Sequence, residues 1–182
     1  MVVDACKPKY FSVGTPLHLV SATTGEKSLA PEVELLHAGG ETVLSGGDAT
    51  TLTRILGLAG HQIIYCGDHL YADIIKCRQL SAWRTLLIIP ELSKEMSASH
   101  LTAGLLDHLA RMESLLAKHP KLPELKCRLE EAVREFDRGF CGTGSLFRSG
   151  DRLSFFGAML ETWSELYTGE VCNILGYSLD HR

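Results

Sequence analysis

The chain has 182 residues, 45% hydrophobic and 22% charged, enough for one good core or one core with a helical appendage. A formal net charge of −4 and a pI near 6.0 exclude nucleic-acid or anionic-membrane binding through a broadly basic surface. No apolar run approaches the roughly 20 residues that a membrane span needs.

Taken in chain order, Val2-Val3-Asp4-Ala5 reads as the end of a buried strand. The first residues, Met1 to Lys7, hold no charged-then-apolar leader, so the expectation is a cytoplasmic chain without a secretory signal. Leu17-His18-Leu19-Val20 alternates with period two, and Thr23-Thr24-Gly25-Glu26 follows as a hairpin-type turn. Leu35, Leu36, Val43 and Leu44 offer a second short strand. Ser45-Gly46-Gly47 is expected to be loop, and Asp48 to cap a short helix that buries Leu52, Ile55 and Leu56 and ends near Gly57 or Gly60.

Ile63-Ile64-Tyr65-Cys66 predicts a buried strand that stops at Gly67 and delivers Asp68 and Asp73, five positions apart, into the region beyond its end. In open α/β sheets ligands bind at the carboxyl ends of strands. A hard cation such as Mg²⁺ takes one or two carboxylates and fills its other positions with water and phosphate. This stretch therefore points to Mg²⁺-assisted phosphate chemistry. A helix over roughly 71–80 and a second buried strand from Trp83 to Ile89 complete a βαβ unit with parallel strands.

Beyond Glu91 the period changes. Leu101, Leu105, Leu109, Met112, Leu115 and Leu116 form one helical stripe, and Leu122, Leu125, Leu129, Val133, Phe136 and Phe140 a second. Lys118 to Lys121 breaks them into a helix hairpin. A last amphipathic segment runs from Leu153 through Trp163 to Ile174, and all three stripes read as core packing. The six cysteines form no Cys-x-x-Cys pair and are expected to be reduced thiols.

Three stretches carry a family resemblance: Val3-Asp4-Ala5-Cys6-Lys7-Pro8; Ile64-Tyr65-Cys66-Gly67-Asp68-His69 with Asp73-Ile74, Trp83-Arg84-Thr85 and Ile89-Pro90-Glu91-Leu92; and Gly144-Ser145-Leu146-Phe147-Arg148-Ser149-Gly150. Together they resemble the C-terminal portion of the cytosolic purine 5′-nucleotidases and their 5′-nucleotidase-domain relatives, in the haloacid-dehalogenase superfamily. The resemblance implies an α/β fold: part of a haloacid-dehalogenase-type Rossmannoid parallel sheet over residues 1–95, followed by a helical C-terminal section over 96–182. It implies a Mg²⁺-dependent phosphohydrolase acting on purine nucleoside 5′-monophosphates through an aspartyl-phosphate intermediate. Asp68 then matches the Mg²⁺ ligand, and Asp73 the second acid of the motif, which steadies the site or its metal-bound water. Lys7 matches the lysine that pairs with the nucleophile and the phosphate. Oligomers of the chain are also implied; nucleic-acid and membrane partners are not.

The family's nucleophile lies in an Asp-x-Asp-x-Thr-type motif ahead of the lysine, and no Asp-x-Asp occurs in these 182 residues. The expectation is a chain that carries the metal and lysine half of a site and is inactive by itself. The alternative is a non-catalytic nucleotidase-like module that binds a partner or subunit. Tyr71 keeps an aromatic residue of the family's activating-nucleotide site, whereas Gln79, Met159 and Thr162 stand where Lys, Gln and Arg are expected, which implies weak or absent nucleotide activation. Read without the family, Asp68 and Asp73 are a helix cap and a solvated acid, and Lys7 an exposed lysine before Pro8. His69 is expected to be a supporting residue, and the loop from Arg148 to Arg152 a surface turn before the last helix.

Overall fold

The computed structural model describes residues 1–29, 42–140, 144–150 and 152–178. The contacts divide the chain into two units, Met1–Ile88 with Trp163–Tyr167, and Ile89–Thr162 with Thr168–Arg182. It is a mixed α/β fold with a parallel strand pair and a long helical section toward the C-terminus.

In the first unit, β1 (Val2–Val3) is followed by a 3-10 turn at Lys9–Phe11, then by β2 (Thr15–Val20) and β3 (Lys27–Leu29). The alternation at Leu17–Val20 pairs β2 with β3 antiparallel, across a turn that Gly25 allows by taking φ +73°. β4 (Val43–Gly47) lies between β1, its parallel neighbour, and β2, its antiparallel one, giving the order β1-β4-β2-β3. Val43 and Leu44 thus supply a strand as expected; Leu35 and Leu36 lie outside the described residues.

Ser45-Gly46-Gly47, expected as loop, is the second half of β4. A Cβ at Gly46 would lie 2.6 Å from the Pro16 carbonyl oxygen, and one at Gly47 2.7 Å from Leu17 Cδ1. Both glycines take positive φ, +78° and +83°, where the β2–β4 register shifts between Thr15 and His18. Both also lie close against β2, so backbone conformation and close approach together call for glycine.

Asp48 caps α1 (Ala49–Leu56), its Oδ1 accepting from the Thr51 N–H at 2.9 Å, and Gly57 closes the helix in the left-handed region. Ala49 and Thr51 are buried, but Leu56 is half exposed, because the last turn runs beyond the aromatic cluster that covers Ala49 and Leu52.

β5 (Ile64–Gly67) and β6 (Arg84–Ile88) are parallel, with Tyr65 opposite Thr85. Between them a wide helical turn, Leu70–Ile75, continues into α2 (Lys76–Leu80). β6 is buried on both faces, as expected. β5 is not: Ile64 and Cys66 are exposed, and only Tyr65 turns inward. Successive strand residues face opposite sides, and the side that carries Ile64 and Cys66 is left largely exposed. The core of this unit is Tyr10, Phe11, Ala49, Cys77 and Trp83, with Ile63 and Tyr65 packed against it. Trp83 Nε1–H donates to Thr53 Oγ1 at 2.7 Å, which ties the residue entering β6 to α1.

In the second unit, α3 (Leu92–Lys118) and α4 (Pro123–Arg138) pack along the middle of the two expected stripes, with Leu109, Phe136 and Phe140 at the centre and Leu105, Leu129 and Val133 around them. Leu101, Leu115 and Leu122, expected in the core, are exposed because they lie toward the ends of the helix pair, away from this cluster. β7 (Arg148–Ser149) and β8 (Arg152–Leu153) form a minimal hairpin. Ser154 then accepts from the Gly157 N–H at 2.9 Å and starts α5 (Phe155–Trp163).

The final amphipathic segment is not one helix. α5 ends at Trp163, β9 (Leu166–Thr168) adds a third strand beside β6, and a 3-10 turn follows at Val171–Gly176. Leu166, Tyr167 and Thr168 suit a strand as well as a helix, and pairing with a sheet settles such a choice. Among the described residues no helix is long and apolar enough to cross a membrane.

Candidate active site

Lys7 sits in a tight turn after β1. The Lys7 N–H donates to the Ala5 carbonyl at 3.0 Å and the Tyr10 N–H to that of Cys6 at 2.9 Å. Tyr10 and Phe11, both buried, anchor the turn in the aromatic core, while the Lys7 side chain stays 42% exposed. Its Nζ lies 2.8 Å from Asp73 Oδ1, so residues 66 positions apart in the chain form one ion pair.

Asp73 is held by the wide turn Leu70–Ile75 and is 1% exposed. Its Oδ1 also accepts from the Tyr65 hydroxyl at 3.3 Å, and its Oδ2 from the His69 backbone N–H at 3.2 Å. A buried carboxylate needs such donors on both oxygens. Gly67 explains how the acid gets so near the strand: a Cβ there would lie 2.5 Å from Asp73 Cβ and 2.6 Å from Asp73 Oδ2. Only glycine lets β5 end against this carboxylate.

The electrostatics follow the same pairing. The hydrogen bond to Asp73 first, and that to Tyr65 second, raise the Lys7 ammonium above the ordinary lysine value. Burial raises the Tyr65 phenol. The group is a clamp in which a half-exposed ammonium rests on a buried carboxylate, with a protonated phenol beside both.

Asp68 is the first residue past the end of β5 and is exposed. Its carboxylate has no hydrogen-bond or ion-pair partner among the described residues. The structure thus brings Lys7 and Asp73 into one hydrogen-bonded set and leaves Asp68 outside it, at the same strand end. No group of three His, Cys, Asp or Glu side chains is close enough to hold an ion by itself among the described residues.

His69 caps the wide turn, its Nδ1 accepting from the Ala72 N–H at 3.1 Å, and its backbone serves Asp73. Tyr71 is exposed, and the Lys76 ammonium lies 5.1 Å from its ring centre while donating to Gln79 Oε1 at 3.3 Å. In the second unit the Thr162 hydroxyl turns back to the Ala158 carbonyl of its own helix. Tyr65 is the member of the site that its sequence does not announce. An aromatic with a hydroxyl in an apolar strand, three residues before Asp68, is the signal that was available.

Comparison with known proteins adds the remaining observations. A family model described as the 5′ nucleotidase family matches residues 1–182. A 5′-nucleotidase domain-containing protein of Dictyostelium discoideum is 26% identical over 197 aligned residues, which take in 98% of this chain and 32% of that protein. The chain thus spans about a third of the length of that curated relative.

Proposed function

The chain belongs to the 5′ nucleotidase family, and from this premise we propose that it carries the metal and lysine half of a phosphohydrolase site for nucleoside 5′-monophosphates. In this reading the chain is the C-terminal portion of a haloacid-dehalogenase-type core, with the nucleophile supplied from outside these 182 residues. The observation that carries it is the Lys7–Asp73 pair at 2.8 Å, beside a strand end that also presents Asp68.

Each side chain has a distinct task. Asp73 is too buried and too fully hydrogen-bonded to meet substrate, so it orients Lys7. Lys7 is half exposed, and its ammonium has donors to spare beyond Asp73, so it faces the phosphate oxygens. Asp68 is an exposed oxygen donor with no partner among the described residues, which fits a cation that asks the protein for one or two carboxylates. Mg²⁺ bound there would offset the charge of the transferring phosphoryl group.

Release of inorganic phosphate from inosine monophosphate with Mg²⁺ tests the proposal. The 182-residue chain alone is expected to give no turnover, and the chain extended by a preceding Asp-x-Asp segment to give turnover that Lys7→Met and Asp68→Asn abolish. Turnover by the chain alone would overturn the half-site reading. A folded extended chain with no turnover would favour a module that binds a partner, the second reading that the missing Asp-x-Asp supports.

A further inference from the structure

We propose that the Tyr65 hydroxyl is a positioning group that holds Asp73 while Lys7 turns its ammonium toward an incoming phosphate-type anion. The inference rests on the reading of Lys7 as the cation that meets phosphate.

The asymmetry of the ion pair motivates it. Lys7 is 42% exposed and free to swing on a four-carbon stem, whereas Asp73 is 1% exposed and fixed. If Lys7 were the only donor to Asp73 Oδ1, every excursion toward an anion would strand a buried charged oxygen, the costliest state such a group has. Tyr65 removes that penalty. Its hydroxyl already lies 3.3 Å from the same oxygen, and the His69 N–H serves Oδ2 whether or not Lys7 is present.

The phenol is also built to stay in place. Its ring stands edge-on to Phe11 with centroids 5.2 Å apart and lies 6.1 Å from the Trp83 ring. Burial raises its pKa, so it keeps the proton it donates. The Lys7 ammonium lies 5.8 Å from the centre of the same ring, so the aromatic face gives the cation a favourable surface to cross as it leaves Asp73. Neither contact depends on the strand face left uncovered.

Tyr65→Phe keeps the ring and removes only the hydroxyl. Its effect on the folding equilibrium constant is compared in the wild-type chain and in a Lys7→Met background. With two donors sharing one buried oxygen, the loss should be at least about tenfold larger where Lys7 is absent, the size of one hydrogen bond to a charged group. Equal losses in the two backgrounds would assign Tyr65 to packing alone and overturn the proposal.

A second readout does not require the lysine variant to fold. In the wild-type chain, the Lys7 Nζ resonance should move on titration with inorganic phosphate, with an affinity about tenfold weaker in Tyr65→Phe. An unresponsive Lys7, or the same affinity in both chains, overturns the proposal as well. The nucleotidase reading can fail independently. An extended chain without phosphate release, but with both responses intact, would sink that reading and leave Tyr65 in its place.

Discussion

A methyl group at position 67 has no room. It would fall 2.5 Å from Asp73 Cβ, against a carboxylate that three donors already hold. Gly67→Ala is therefore expected to cost about 1–3 kcal/mol by overpacking, measured by urea unfolding, and to loosen the Lys7–Asp73 pair. The pair also fixes a pH response. Because the folded Lys7 ammonium lies above the 10.5 of a free lysine, its contribution is complete below that value and fades as pH rises through the folded one. Burial raises Tyr65 too and pushes Tyr10 up to about 12, which adds loss in the same alkaline direction. Stability should fall with rising pH above about 10.5 in the wild-type chain, and less steeply in Lys7→Met. Parallel profiles would contradict the ion pair.

At the scale of elements, α3 does more than pack against α4. Glu95, in its first turns and 7% exposed, accepts from the Leu146 N–H at 2.8 Å and from the Ser145 hydroxyl. That hydroxyl in turn accepts from the Phe147 and Arg148 N–H groups, both at 3.1 Å, so one carboxylate organises the approach to the β7–β8 hairpin. Glu95→Ala should remove about 1.5–3 kcal/mol per bond to the charged group and open residues 144–150 to limited proteolysis. Unchanged cleavage there would refute the assignment. The helices and strands differ in how well their residues announce them. The helices α3 and α4 with the middle of their stripes, the Asp48 cap and the parallel β5–β6 pair were legible, because period, cap chemistry and strand–helix–strand order are local or nearly so. The Gly46-Gly47 strand and β9 were not. A glycine pair reads as a break until a neighbouring strand is found paired beside it, and Leu166 to Thr168 carries no local mark of the sheet it joins.

For the molecule as a whole, family membership speaks for nucleotidase-like chemistry, and the chain spans about a third of the Dictyostelium discoideum relative it matches. Activation by an adenine nucleotide should be weak or absent in the extended chain. Gln79 and Thr162 bring no cation where the resemblance expects two, and Thr162 is already bonded to its own helix. Strong stimulation by ATP in the inosine monophosphate assay would contradict this.

The order of residues alone established the family, the helical stripes and the two acids beyond a strand end, because these live in short motifs and in periodicity. Only the folded chain decided that Lys7 reaches Asp73, that Tyr65 joins them, that Gly67 is glycine for the sake of a carboxylate, and that Asp68 stands apart in the open. Those facts depend on which side chain faces which across 66 positions of chain. Distance of that kind leaves no trace in local pattern, since it is set by the packing of an aromatic core that no single segment contains.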